Sequence, residues 1–155
     1  MRAFILAVLL AVLSLPAYAE LAPREGWSVT PTTKPYDALV DAVRTAAKAN
    51  GMGVVTHAGP TGAARNRGVT IPGNRVIGLF NNLYAVDVLS LSTAAMIEAP
   101  IRMYVTENAD GTATLSYKTP TTIFTPYLEE AGPELARIAA ELDTIFATIA
   151  ATAAQ

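Results

Sequence analysis

His57 is the chain's one histidine, and imidazole is the side chain best suited to moving protons near neutral pH. It stands in the stretch "VVTHAGPTGAARNRG", Val54 to Gly68. Behind it come Gly59-x-x-Gly62, then Arg65, Arg67 and Gly68. Flexible backbone and positive charge directly after an apolar strand-like run are the setting of an anion-binding loop, whose free N–H groups face negative charge. The likeness stops there. The stretch contains neither G-x-x-x-x-G-K-S/T nor G-x-G-x-x-G, and no acidic residue closes a βαβ unit at the usual interval. A turn carrying solvated arginines is the default reading.

His57 has few partners in sequence. A metal site would draw on Asp87, Glu98, Tyr84 or a methionine, none at a diagnostic spacing from it. A serine relay would need Ser28, Ser90, Ser92 or Ser116, and no G-x-S-x-G elbow is present. Three roles stay open: a strand-end histidine bonded to backbone, a ligand contact, or a general base. Asn81 and Tyr84 form a second cluster with Asp87 in "FNNLYAVD", where a strand ends and a helix begins. Clefts and free amide donors collect at such places, and asparagine is equally the usual helix cap. Arg102, Tyr104, Tyr117 and Lys118 alternate along a hairpin, so some of them would line a sheet face left bare of helices. Met52, Met96 and Met103 could suit Cu(I) through their thioethers, but their scatter favours core filling.

The elements that must position these residues follow from periodicity. "GWSVTP" alternates as a first strand over Gly26 to Pro31. From Pro35, the residues Tyr36, Leu39, Val40, Val43 and Ala47 recur at helical steps, with Asp37 and Asp41 early, Lys48 late, and Asn50-Gly51 as the stop. "GVVTH" is a second strand, and "NRVIGLFNN" is a third with an apolar, interior character. In the next segment Leu83, Val86 and Leu89 can share one face of a second helix before Pro100. Two alternating runs around Asp110-Gly111 predict a hairpin. Leu135, Ile138, Leu142, Ile145, Phe146 and Ile149 predict a long terminal helix, whose stripe could cover the sheet or meet a partner subunit. The order β-α-β-β-α-β-β-α predicts a single α+β domain over 26–127, with about five mostly antiparallel strands, helices packed on one face, and a C-terminal helix over 128–155.

The first residues, "MRAFILAVLLAVLSLPAYAE", have the build of a secretory leader. One arginine precedes an apolar run too short to span a bilayer, and an A-x-A site predicts cleavage after Ala19. Residues 20–25 then form a short linker, and a periplasmic or secreted location follows. No later apolar run reaches spanning length. The chain carries 11 Lys and Arg against 13 Asp and Glu, and one of those cations, Arg2, leaves with the leader. No excess of positive charge remains to neutralise a nucleic-acid backbone. With no cysteine, the chain has no disulfides, no lipid-anchoring cysteine, no thiolate metal site and no cysteine nucleophile.

The span from "GWSVTPTTKPYDALVDAVRTAAKANGMGVVTH" through "NRVIGLFNN" to "IEAPIRMYVTENADGTATLSYKTP" resembles the bacterial domain-of-unknown-function family 302 over about Gly26 to Tyr127. The signs are a helix followed by G-x-G-V-x-T, a strand ending in G-x-x-N at Gly78 to Asn81, and a hairpin from Val105 to Pro120. The resemblance implies a compact α+β fold, with homodimers common among such families, and no established activity. Relatives resemble one another in an acidic residue, sometimes followed by histidine, just after the second strand, where Thr56-His57 stands here. Their last strand often ends Y-N/D-P, whereas this chain has Tyr117-Lys118-Thr119-Pro120.

The leading expectation is an exported accessory domain that holds a small molecule or a periplasmic protein near His57, Asn81, Tyr84, Arg102 and Tyr117, without catalytic residues, metal or cofactor. The rivals are a hydrolase- or lyase-type enzyme with His57 as general base, and a structural homodimer or copper accessory protein.

Overall fold

The computed structural model describes residues 21–155; the expected leader, 1–19, lies outside them. Five strands form one sheet: β1 (Trp27–Pro35), β2 (Gly53–Ala58), β3 (Asn74–Phe80), β4 (Ile101–Glu107) and β5 (Thr112–Lys118). Their spatial order is β1-β5-β4-β3-β2, and every neighbouring pair is antiparallel. The helices are α1 (Tyr36–Ala49), α2 (Thr61–Asn66), α3 (Asn82–Leu91), α4 (Pro120–Phe124) and α5 (Leu128–Ala154). This is the expected α+β order, with two further short helices, α2 in the glycine-rich stretch behind β2 and α4 in the segment between β5 and α5.

Local chemistry explains the main elements. In α1, Leu39, Val40, Val43, Ala46 and Ala47 form one buried face. Its end is closed by the N–H of Met52 donating to the carbonyl of Ala47 at 2.9 Å and that of Gly51 donating to Lys48 at 3.2 Å. Gly51 has φ +71°, the left-handed conformation that such a helix stop requires. In the β4–β5 hairpin, Gly111 has φ +84°, and Asp110 Oδ1 accepts from the N–H of Thr112 at 2.9 Å. That bond and one from the Thr112 hydroxyl hold the Asp110 carboxyl below its ordinary pKa. Both edge strands limit further pairing: β1 carries Pro31 and Pro35 and loses register between them, and β2 is bulged between Val54 and Thr56. β1 runs four residues beyond the expected Pro31. β3 is interior, as its apolar run predicts, although β4 holds the centre.

Registers assign the two faces. Met103 pairs with Tyr117 and Val105 with Leu115; Ile77 pairs with Met103 and Leu79 with Ile101. These buried side chains meet α1 and α5, and the core lies there. The terminal stripe is used within the chain, since Leu135, Ile138, Leu142, Phe146 and Ile149 are all buried. The helix begins earlier than its stripe suggests, bending at Gly132 (φ +71°) before Pro133.

α3 is turned the other way from the expectation. Leu83 is 71% exposed, Val86 65% and Leu89 48%, while Val88 is buried and Tyr84 and Leu91 pack against the core. The helix is apolar on nearly every side, so a stripe drawn through any three of its residues has no preferred direction.

Within the 54–68 stretch Gly59 serves the fold. A Cβ on Gly59 would lie 2.1 Å from the backbone oxygen of Asn74, so the chain leaving β2 passes β3 at a distance only glycine allows. Gly59→Ala must push these strands apart. A loss of about 1–3 kcal/mol is expected in urea denaturation, whereas Gly62→Ala, with open space around its Cβ, leaves the midpoint nearly unchanged.

Candidate functional site

The five candidate residues divide among different parts of the fold. His57 sits on the edge strand β2, exposed and opposite Ile77, on the helix-bearing side. Burial, Arg75 and Arg44 lower its pKa from the ordinary 6.5, against a weaker opposing pull from Asp41. A depressed imidazole pKa means that the unfolded chain binds more protons in the window between the two values. The small stabilisation is therefore in place above about 6.5 and is lost as pH falls through the lower folded value. In an NMR titration His57 should turn at a pH below 6.5, and Arg75→Gln should raise the midpoint; a wild-type midpoint at or above 6.5 contradicts this electrostatic picture. Three of the four serines named for a relay are engaged elsewhere. Ser92 bonds Glu130 and accepts the N–H of Ala95, Ser90 donates to the Asp87 carbonyl, and Ser116 is buried on the opposite face of the sheet.

Asn81 caps α3, its Oδ1 accepting from the N–H of Leu83 at 2.9 Å while Nδ2 donates to the Gly51 carbonyl at 3.0 Å. Tyr84 reaches toward Glu141 of α5 with an O···O distance of 3.5 Å. Both residues border an apolar cavity of about 30 Å³, room for little more than a water. Met52 and Met96 border it too, while Met103 is buried in the core. Among the described residues no three of His, Asp and Glu stand close enough together to hold a metal ion.

Arg102 and Tyr117 stand on opposite faces by register, yet both border one groove. Tyr117 is 4% exposed, packed against Phe146 with ring centroids 5.6 Å apart, and burial pushes its hydroxyl pKa up. Arg102 pairs with Gly78 of β3 on the face that the core helices leave bare. Extending the Met103–Tyr117 register by one residue sets Lys118 beside it, and Lys118 in turn pairs with Trp27 of β1. One row of side chains therefore crosses the sheet as Trp27, Lys118, Arg102, Gly78 and Thr56. The next row holds Val29, Ser116, Tyr104 and Val76.

These rows form a groove of about 520 Å³ lined by Trp27, Asn74, Val76, Arg102, Tyr104, Tyr117, Lys118 and Ile123. Ser116 and Thr114 belong to this face by register but are fully buried among their neighbours. Asn74 Nδ2 donates to the Tyr104 hydroxyl and fixes that ring. The Lys118 ammonium lies 5.8 Å from the Trp27 ring centroid and the Arg24 guanidinium 5.2 Å from it, distances at which cations are drawn to an indole face. No carboxylate lines the groove, and among the described residues Arg24, Arg102 and Lys118 form no ion pair. Trp27 and Arg24 were absent from the sequence-derived candidates because β1 joins β5, a strand far from it along the chain.

Fold and surface together describe a one-sided antiparallel α+β domain with a cationic, aromatic groove on its bare face. The chain belongs to the family described as "Domain of unknown function DUF302", whose profile matches residues 28–152 and so takes in α5 as well. It is similar in fold to the crystal structure of an uncharacterized conserved DUF302 protein from Bacillus stearothermophilus, at a TM-score of 0.74 and 16% identity, covering 85% of this chain and 100% of that one. No curated protein matches.

Proposed function

We propose that this is an exported, non-catalytic binding domain whose ligand is a small organic anion with an aromatic or apolar body, held in the groove on the bare sheet face. One observation carries the reading: three cations converge on an aromatic surface from which carboxylates are missing. Like charges gathered in this way repel one another until an anion arrives, and the groove concentrates their field. Trp27, Tyr104 and Val76 supply apolar and aromatic area for the body of the ligand, while Arg102 and Lys118 supply charge-assisted hydrogen bonds to a carboxylate. Its volume is in the ordinary range for small-molecule sites. The leader pattern in the sequence supports a location in the periplasm or outside the cell, where such a protein would sequester or pass on its ligand.

Trp27 is the chain's one tryptophan, so its fluorescence reports directly on the groove. Titration with 2-naphthoate should change that emission saturably, 2-naphthalenemethanol should bind far more weakly, and raising the salt concentration should weaken the naphthoate response. Equal responses to the acid and the alcohol, or no response to either, would refute the reading.

A further inference from the structure

On the other side of the sheet we infer a second binding site, for a small zwitterion of the α-amino-acid class, in the polar cleft where α1 begins. This cleft, of about 580 Å³, is lined by Tyr36 and Asp37 of α1, Thr61 and Arg65 of α2, Arg75 of β3 and Glu107 of β4. It is independent of the groove reading.

Its floor is built but unsatisfied. The Tyr36 ring is pressed against Gly73, where a Cβ would come within 2.6 Å of a ring carbon, and its hydroxyl is buried without a hydrogen-bond partner. Arg75 Nε is likewise buried without a partner. Buried donors are nearly always paired in folded proteins, so two orphans in one cleft call for an explanation. Glu107 Oε2 accepts the N–H of Gly73 at 2.5 Å. The backbone bond from Glu107 N–H to the Gly73 carbonyl makes Glu107 and Arg75 diagonal neighbours on one face, close enough for long side chains to meet. Among the described residues they nevertheless form no ion pair.

The cleft thus offers donors and acceptors at the same time. Tyr36 and Arg75 present O–H and N–H groups for a carboxylate, with Arg65 exposed at the rim; Glu107 presents an acceptor for an ammonium, with Asp37 exposed beside it. A free phosphate dianion would meet two carboxylates here, and a simple cation would meet two guanidinium groups. A molecule carrying both charges a few bonds apart satisfies both halves.

The test is isothermal titration of the purified mature chain with the standard L-amino acids, then of any that binds against its N-acetyl and amide derivatives. At least one amino acid should bind at about 10 mM or below, and removing either charge should weaken it roughly tenfold. Tyr36→Phe should weaken it comparably while leaving the melting temperature unchanged or raised, because the hydroxyl has no partner in the fold to lose. Arg102→Glu should leave this binding intact. Failure of every amino acid, equal binding of the N-acetyl form, unaltered binding by Tyr36→Phe, or a fall in its melting temperature would each overturn the inference.

Discussion

Phe146→Ala is expected to cost about 3–5 kcal/mol in urea denaturation, the range for emptying a fully buried aromatic site. Total stability for a domain of this kind is about 5–15 kcal/mol, so the variant loses a large share of it. Phe146 is fully buried in the core. It comes from the middle of α5 and packs its ring, tilted by 50°, on Tyr117 of β5, so it joins the terminal helix to the sheet. The midpoint should fall with little change in slope. Leu83→Ala is the control, because Leu83 already faces solvent and its loss should register within about 0.5 kcal/mol. If Phe146→Ala proves equally mild, α5 is not the part of the core described above. By the same reasoning, a chain cut at Gly132 should fail to fold, since α5 supplies eight buried side chains.

The second large effect concerns binding. Arg102→Glu combined with Lys118→Glu should abolish the response to 2-naphthoate while leaving the urea midpoint almost unmoved. Both residues are exposed and neither forms an ion pair among the described residues, so the fold loses little. Binding loses two charge-assisted hydrogen bonds at about 1.5–3 kcal/mol each and gains repulsion where there was attraction. Either single replacement by alanine should weaken binding roughly tenfold. Undiminished affinity in the double variant would remove the groove from the account.

How much of this could be read from the residues depended on how local each pattern is. Helix α1 and the Asp110-Gly111 hairpin were legible because their stripe, their alternation and their left-handed glycines lie within a few residues of one another. The direction of α3 was not, because Leu83, Val86 and Leu89 are matched by Tyr84, Val88 and Leu91 on the other side, and only tertiary packing chooses between them. The family resemblance was legible over the sheet and its first helices, while the family match extends through α5. Among the site candidates, Arg102 and Tyr117 looked equivalent on alternating strands. The hairpin register turns them to opposite faces, pairing Tyr117 with Met103 in the core and leaving Arg102 on the bare face, although both border the groove. Trp27 became visible as a groove residue, with Arg24 over its ring, only through the β1–β5 pairing, a contact between distant segments that no local spacing encodes. Asn81, legible as a possible cap, is bonded as one. The glycines behind His57 resembled a phosphate loop because close backbone passage and anion binding both select glycine, and Gly59 is there for the first reason.

The most direct test of the proposed function is to map backbone amide shifts of isotope-labelled protein, by NMR, as 2-naphthoate is added. The account predicts saturable shifts centred on Trp27, Val76, Arg102, Tyr104 and Lys118, with His57, Tyr84 and the cleft around Tyr36 and Arg75 unmoved. Shifts confined to that cleft or to the Asn81–Tyr84 corner, or none at saturating naphthoate, would contradict it.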